Sequence, residues 1–145
     1  MSVLSASINK YRALVVDDDA SCRDSMATLL SLEGFATLPV GEAASACQII
    51  RATKLLRNRS PILATNSGED VHFLILDNNL PDFTGLDVLR TMRDLQFFLP
   101  SIVVTGEYSA ELERAVLDLG GFAVVPKPVE PVSFRVIVRN LVSRL

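Results

Sequence analysis

The chain has 145 residues, 49% of them hydrophobic, and a formal net charge of -3, which suits one globular domain with a sizeable core and leaves little room for a second. The acidic balance argues against direct nucleic-acid binding, because no basic stripe is available to neutralise phosphates. No apolar run approaches the roughly 20 residues of a membrane helix, and the opening MSVLSASINKYR lacks the basic-then-apolar layout of a signal peptide, so a cytoplasmic protein is expected.

Residues 1–10 read as an extension before the first apolar run, ALVV at residues 13–16. Three aspartates follow at once, Asp17, Asp18 and Asp19. Two ionised carboxylates about 4 Å apart repel by roughly 4 kcal/mol at an effective dielectric near 20, so something must offset them. Met26, Leu29 and Leu30 then form a helical stripe, with Ser21 as its expected cap and Gly34 just past its end. The run FATLPV at 35–40 precedes a second stripe of Ile49, Ile50 and Leu56, and residues 57–70 (RNRSPILATNSGED) read as a long solvated loop. Next come FLIL at 73–76, the stripe Leu86, Leu89 and Met92, SIVV at 101–104, and the stripe Leu112, Ala115, Val116 and Leu119. Gly120 and Gly121 close that helix, FAVV at 122–125 follows, and Pro131 opens a last segment read as helix with Phe134, Ile137, Val138 and Leu141 on its stripe. Apolar strands alternating with amphipathic helices five times over predict a parallel sheet covered on both faces.

Ligand sites in such sheets form beyond the carboxyl ends of the strands. That rule selects Asp17, Asp18 and Asp19 after the first strand, Asp77, Asn78 and Asn79 after the third, Thr105 and Gly106 after the fourth, and Lys127 after the fifth. Singly, each has an ordinary reading as a turn, cap or solvated residue. Together, several carboxylates, a hydroxyl and an ammonium on one rim complement a hard cation plus a phosphoryl group. Mg²⁺ takes oxygen ligands and is commonly held by one or two carboxylates, which would offset the repulsion among the aspartates. A carboxylate beside it can act as a nucleophile toward phosphorus.

The order VVDDD, LILDNNLPDFTG, IVVTGE and VPKP strongly resembles the receiver domains of two-component response regulators, over the chain from about Tyr11 to Leu145. The resemblance implies a flavodoxin-like, doubly wound α/β fold with five parallel strands in the order 2-1-3-4-5. It implies that Asp17 and Asp18 bind Mg²⁺, that Asp77 is the phosphoacceptor, and that Asn79 gives its backbone carbonyl to the metal. Thr105 matches the switch hydroxyl and Lys127 the phosphate-binding lysine. Pro81 and Gly85 match the tight loop after the acceptor, the Lys127–Pro128 bond matches a cis peptide, and Gly106 leaves the phosphoryl group open to a donor or water. Asn79 and Glu107 occupy positions that tune self-hydrolysis. The implied activity is Mg-dependent self-phosphorylation from a histidine kinase or phosphotransfer protein, followed by self-dephosphorylation, in either a stand-alone receiver or a piece of a larger regulator or hybrid kinase.

Three features depart from that pattern. Val124 stands where the family carries Tyr or Phe, and Phe122 is expected on the same strand face by period-two alternation. Pro126 removes a backbone donor just before Lys127. The long loop at 57–70 is the third. Val124, Val132, Val136 and Val142 read as core, the alternative being that the face of the fourth helix, fifth strand and fifth helix receives an effector or a second copy.

Other readings use fewer of these residues. In a haloacid-dehalogenase-type phosphatase, DDDAS would supply Asp17 as nucleophile and Asp19 as acid, with Thr105 and Lys127 in later motifs. Only Glu130 would remain to hold its metal, and Asp77 would have no role. A receiver-like interaction module that is never phosphorylated is the other reading. His72, the single histidine, opens a strand and reads as packed or surface residue rather than as a phosphotransfer histidine. Cys22 and Cys47 are too few for a disulfide framework or zinc cluster and read as small, semi-buried residues.

Overall fold

The computed structural model of the protein describes residues 11–59 and 70–145. The expected extension at 1–10, and the part of the expected loop from 60 to 69, lie outside the described residues. The elements alternate as β1 (Arg12–Val16), α1 (Ala20–Leu32), β2 (Ala36–Val40), α2 (Ala43–Arg59), β3 (Phe73–Asp77), α3 (Gly85–Leu95), β4 (Ser101–Thr105), α4 (Ala110–Asp118), β5 (Ala123–Pro126) and α5 (Pro131–Val142). The strands form one sheet in the order β2-β1-β3-β4-β5, with every neighbouring pair parallel. This is the order the motifs implied.

Each strand sends alternate residues to opposite faces, and two apolar clusters result. One joins Leu14, Val16, Leu74, Leu76 and Val103 to Ile50 of α2, Leu89 and Met92 of α3 and Val116 of α4. The other joins Ala13, Val15, Phe73, Ile75 and Val104 to Met26 and Leu30 of α1 and Phe134, Val138 and Leu141 of α5. The inner strands β3 and β4 are buried along their whole length. By contrast β2 is half-exposed, because it is an edge, where Pro39 is tolerated.

Several local expectations need correction. Ser21 does not cap α1; Asp19 does, accepting from the Ser21 and Cys22 amides, since a carboxylate one residue before the helix meets the first free N–H groups and the positive end of the dipole. The helix α2 runs through Arg57 to Arg59, so the connection begins later than residue 57; Arg57, on that last turn, reaches across to Asp70 and the Val71 carbonyl. Phe122 does not share a face with Val124. It precedes the first residue of β5, so strand alternation does not govern it, and it packs with the α1/α5 cluster while Val124 belongs to the other. Of the four valines read as core, Val124 is buried and Val142 is partly buried, whereas Val132 and Val136 are 65% and 49% exposed. Those two lie on the outer side of α5, whose inward stripe is Phe134, Val138 and Leu141.

Other punctuation holds. Gly34 and Gly120 adopt φ of 90° and 92° after their helices, the left-handed conformation that glycine enters without a Cβ penalty. Pro131 opens α5 behind a Glu130 cap. Among the described residues no helix is long and apolar enough to cross a membrane.

Candidate functional site

The carboxyl ends of β1, β3, β4 and β5 bring the selected residues to one rim. Asp17 directly follows β1, held in place from both sides: its N–H donates to the Val40 carbonyl at 3.1 Å, and its own carbonyl accepts from Arg23 Nη1 at 2.7 Å. Its carboxylate is fully buried, with Oδ1 accepting from the Asp19 amide at 2.9 Å and Oδ2 from Lys127 Nζ at 2.9 Å. Asp77 ends β3 and is 3% exposed. Its Oδ1 accepts from the Asn79 amide at 3.0 Å, and its Oδ2 lies 3.3 Å from Lys127 Nζ. Asp18 is exposed, and one carboxylate oxygen from each of Asp17, Asp18 and Asp77 lies within 4.8 Å of the others.

The three consecutive aspartates therefore divide their work. Asp17 is buried against the lysine, Asp18 faces solvent at the same point, and Asp19 caps a helix. Capping holds the Asp19 carboxyl below its ordinary value, chiefly through the Ser21 amide and then that of Cys22. Burial pushes the Asp77 carboxyl up; the Asp17 charge adds to this, while the Asn79 amide and Lys127 oppose it. Burial alone would pull the Lys127 ammonium down, but its bonds and charge interactions with Asp17 and Asp77 outweigh that and raise it.

Three carboxylates thus gather beside one ammonium that pairs with two of them, with the Arg23 guanidinium at the Asp17 carbonyl, so negative charge remains in excess among the described residues. The donor set is all hard oxygen and partly buried. These residues fit Mg²⁺.

The remaining predicted residues line the mouth. Thr105 ends β4, next to β3, and is buried; its Oγ1 accepts from the Glu107 amide at 2.9 Å. Asn79 is exposed and its Nδ2 reaches Glu107 Oε1 at 3.5 Å, a long contact across the opening. A side chain added at Gly106 would meet nothing within 4 Å, whereas at Gly85 it would stand 3.0 Å from the Asp77 carbonyl and 3.1 Å from Asn78 Cα. Gly85 thus lets the start of α3 lie close against the end of the acceptor strand. The Asn78 amide oxygen, buried beside Gly85, has no hydrogen-bond partner among the described residues. Pro126 causes no loss: the Lys127 amide bonds the Thr105 carbonyl at 2.7 Å, so the donor that proline lacks is the one on the outer side of an edge strand. The Lys127–Pro128 peptide is cis.

Two residues with contacts around this site escaped the sequence reading. Arg23 carries no motif; its only signal is its spacing, one turn into the helix after the aspartates. Asp82 sits in the loop after Asp77 and bonds the start of α2, a contact visible only once the fold brings them together.

Comparison with known proteins agrees with this geometry. Residues 13–139 match the family model of the response regulator receiver domain. The chain belongs to that family. This receiver domain is 28% identical over 120 residues to the transcriptional regulatory protein FixJ of Rhizobium meliloti (strain 1021), covering 83% of the chain and 51% of FixJ. It is 31% identical over 117 residues to the response regulator MprA of Mycobacterium sp. (strain KMS), covering 81% of the chain and 44% of MprA. The chain therefore spans about half the length of these relatives. Its fold matches the signal receiver domain of a putative Luxo repressor protein from Vibrio parahaemolyticus with a TM-score of 0.78, at 22% identity, covering 92% of this chain and 91% of that one. Receiver domains are the phosphoacceptor modules of two-component signalling, and their acidic pockets generally bind Mg²⁺.

The dehalogenase reading fails on this receiver domain's own contacts. Asp19 is spent on the α1 cap and Glu130 on the α5 cap, where it accepts from the Val132 and Ser133 amides. Neither carboxylate is free for the roles that reading requires.

Proposed function

We propose that Asp77 accepts a phosphoryl group from a phosphohistidine donor, a histidine kinase or phosphotransfer protein, in a reaction that requires Mg²⁺ and takes place in the cytoplasm. The observation that supports this reading is the gathering of Asp17, Asp18 and Asp77, with Lys127 paired to the first and the last. Asp17, Asp18, Asp77 and the Asn79 carbonyl would hold the cation, which when bound supplies positive charge to the phosphoryl oxygens.

A carboxylate oxygen of Asp77 attacks phosphorus as the P–N bond to the donor imidazole breaks; the bonding pair stays on the ring nitrogen, which takes a proton from solvent. Lys127, already paired with Asp77, neutralises charge on the transferring group, and such positioned charge is the main protein contribution to phosphoryl transfer. Gly106 leaves the approach open. Thr105 then turns its hydroxyl from the Glu107 amide toward the new phosphoryl group, which loosens the loop between β4 and α4 and biases that element between two arrangements. With Val124 in place of an aromatic, the change does not use rotation of a ring on β5. Asn79 and Glu107 stand where water must enter, which suits a short-lived phosphoryl state. The exposed Val132 and Val136 on α5 offer apolar surface for an effector or a second copy.

The test is intact mass after incubation with Mg²⁺ and acetyl phosphate. Wild type gains one phosphoryl group, Asp77→Asn gains none, and Asp17→Asn is labelled slowly or not at all. Persistent labelling of Asp77→Asn overturns the assignment, and absence of label on every variant favours the unphosphorylated module.

A further inference from the structure

Helix α2 takes its cap from another part of the chain. It is preceded by Gly41 and Glu42, neither of which is a short polar side chain of the kind that best accepts first-turn amides. Instead both oxygens of one distant carboxylate cover them: Asp82 Oδ1 accepts from the Ala43 amide at 3.0 Å, and Asp82 Oδ2 from the Ala44 amide at 2.9 Å. The sequence separations are 39 and 38 residues.

Asp82 belongs to the loop joining Asp77 to α3, and that loop is closed tightly on itself. Asn79 donates its amide to the Asp77 carboxylate, Asn79 and Thr84 form an antiparallel bridge, and the Gly85 amide bonds the Asn78 carbonyl at 3.0 Å. Thr84 and Asp87 form a reciprocal capping box at the start of α3. The tip, residues 80–83, projects from these ties, and Asp82 anchors it to α2.

We infer that Asp82 is a positioning residue, whose clamp on α2 fixes the loop carrying Asn79 and so sets the cation-binding geometry at Asp77. The inference rests on the proposal that Mg²⁺ binds among Asp17, Asp18 and Asp77. A carboxylate serving only as a cap would stabilise α2 and leave the acidic pocket unchanged. A clamp makes the two places energetically coupled, and such coupling is reciprocal: whatever orders the loop from the metal side also protects the α2 amides.

The experiment measures Mg²⁺ affinity by calorimetry, and hydrogen exchange at the Ala43 and Ala44 amides, for wild type, Asp82→Asn and Asp82→Ala, at a temperature where all three are folded by circular dichroism. Expected is a loss of Mg²⁺ affinity of about five-fold or more in Asp82→Ala, the lower end of typical couplings. Asp82→Asn, which retains one accepting oxygen, falls between. Mg²⁺ slows exchange at the two amides in wild type and has no effect on them in Asp82→Ala. The inference is overturned if wild type binds Mg²⁺, Asp82→Ala binds it equally well, and the ion leaves both amides unchanged; that is the result for a cap alone. Failure of wild type itself to bind Mg²⁺ overturns the functional reading and this inference with it.

Discussion

Each end of the sheet buries aspartate beside a cation, yet the two ends balance their charge differently. At the amino end of β3, Asp70 is 2% exposed and pairs with Arg57 Nε at 3.1 Å. His72 Nε2 lies 3.6 Å from the same carboxylate, and His72 Nδ1 accepts from the Arg12 amide at 3.0 Å. An N–H donor on Nδ1 needs a lone pair there, so the ring is neutral; among the described residues Arg57 is the cation on the Asp70 carboxylate, while Arg12 Nη1 bonds the Asp70 carbonyl at 3.2 Å. At the carboxyl end, Asp17 and Asp77 share Lys127, and the exposed Asp18 lies beside them. Burial of charge is costly at either place. A matched pair is a structural tie, whereas an unmatched cluster marks a site shaped for something that arrives later.

Charge-removing substitutions should separate the two ends of the sheet most clearly. The largest effect is expected for Lys127→Ala, which deletes the one ammonium among the carboxylates: labelling by acetyl phosphate should slow by roughly 100-fold or more, read as the initial rate of mass gain. Mg²⁺ comes next. At 100 times its dissociation constant it should stabilise wild type by about 2.7 kcal/mol in urea denaturation, and that gain should vanish in Asp18→Asn and persist in Asp70→Asn.

Asp70→Asn should cost about 2 kcal/mol of stability, less than is typical for breaking a fully buried pair because Arg57 is partly solvated, while leaving the phosphorylation rate unchanged. A cost near zero would mean that the amino-end pair is no tie at all.

A smaller effect concerns pH. Burial lowers the His72 pKa below its ordinary 6.5, and the Asp70 charge only partly opposes this. The unfolded chain then binds the proton more readily than the folded one, so stability is complete above about pH 6.5 and declines as pH falls toward the folded value. Denaturation midpoints across that range should show the decline in wild type and lose it in His72→Gln. Smallest of all, Asp19→Ala should lower the melting temperature slightly by uncapping α1, with labelling intact; a loss of labelling would return Asp19 to the reactive site.

Much of this was readable before the fold was known, for reasons that can be stated. Near-continuous runs such as FLIL, followed by helical stripes, fix a parallel sheet, and the rule placing sites at strand carboxyl ends then selects Asp17, Asp77, Thr105 and Lys127 without distances. The less legible features depend on contacts between distant segments. Asp19 and Ser21 are both good caps, and only the point where the helix begins decides between them. Phe122 obeys alternation on paper but precedes the strand. Val132 and Val136 look no different from Val138 in sequence; their exposure follows from which side of α5 meets the sheet. Asp82 belongs to a loop whose target lies 38 residues earlier.

The carboxyl-end cluster carries negative charge in excess of its cations. The most direct measurement is urea denaturation of wild type and Asp77→Asn, each with a chelator and with saturating Mg²⁺. Asp77→Asn should be the more stable protein in chelator, because a repelling carboxylate is gone, and Mg²⁺ should stabilise wild type far more than the variant. Destabilisation of Asp77→Asn in chelator, by an amount like that of Asp70→Asn, would contradict it and make the two ends of the sheet alike.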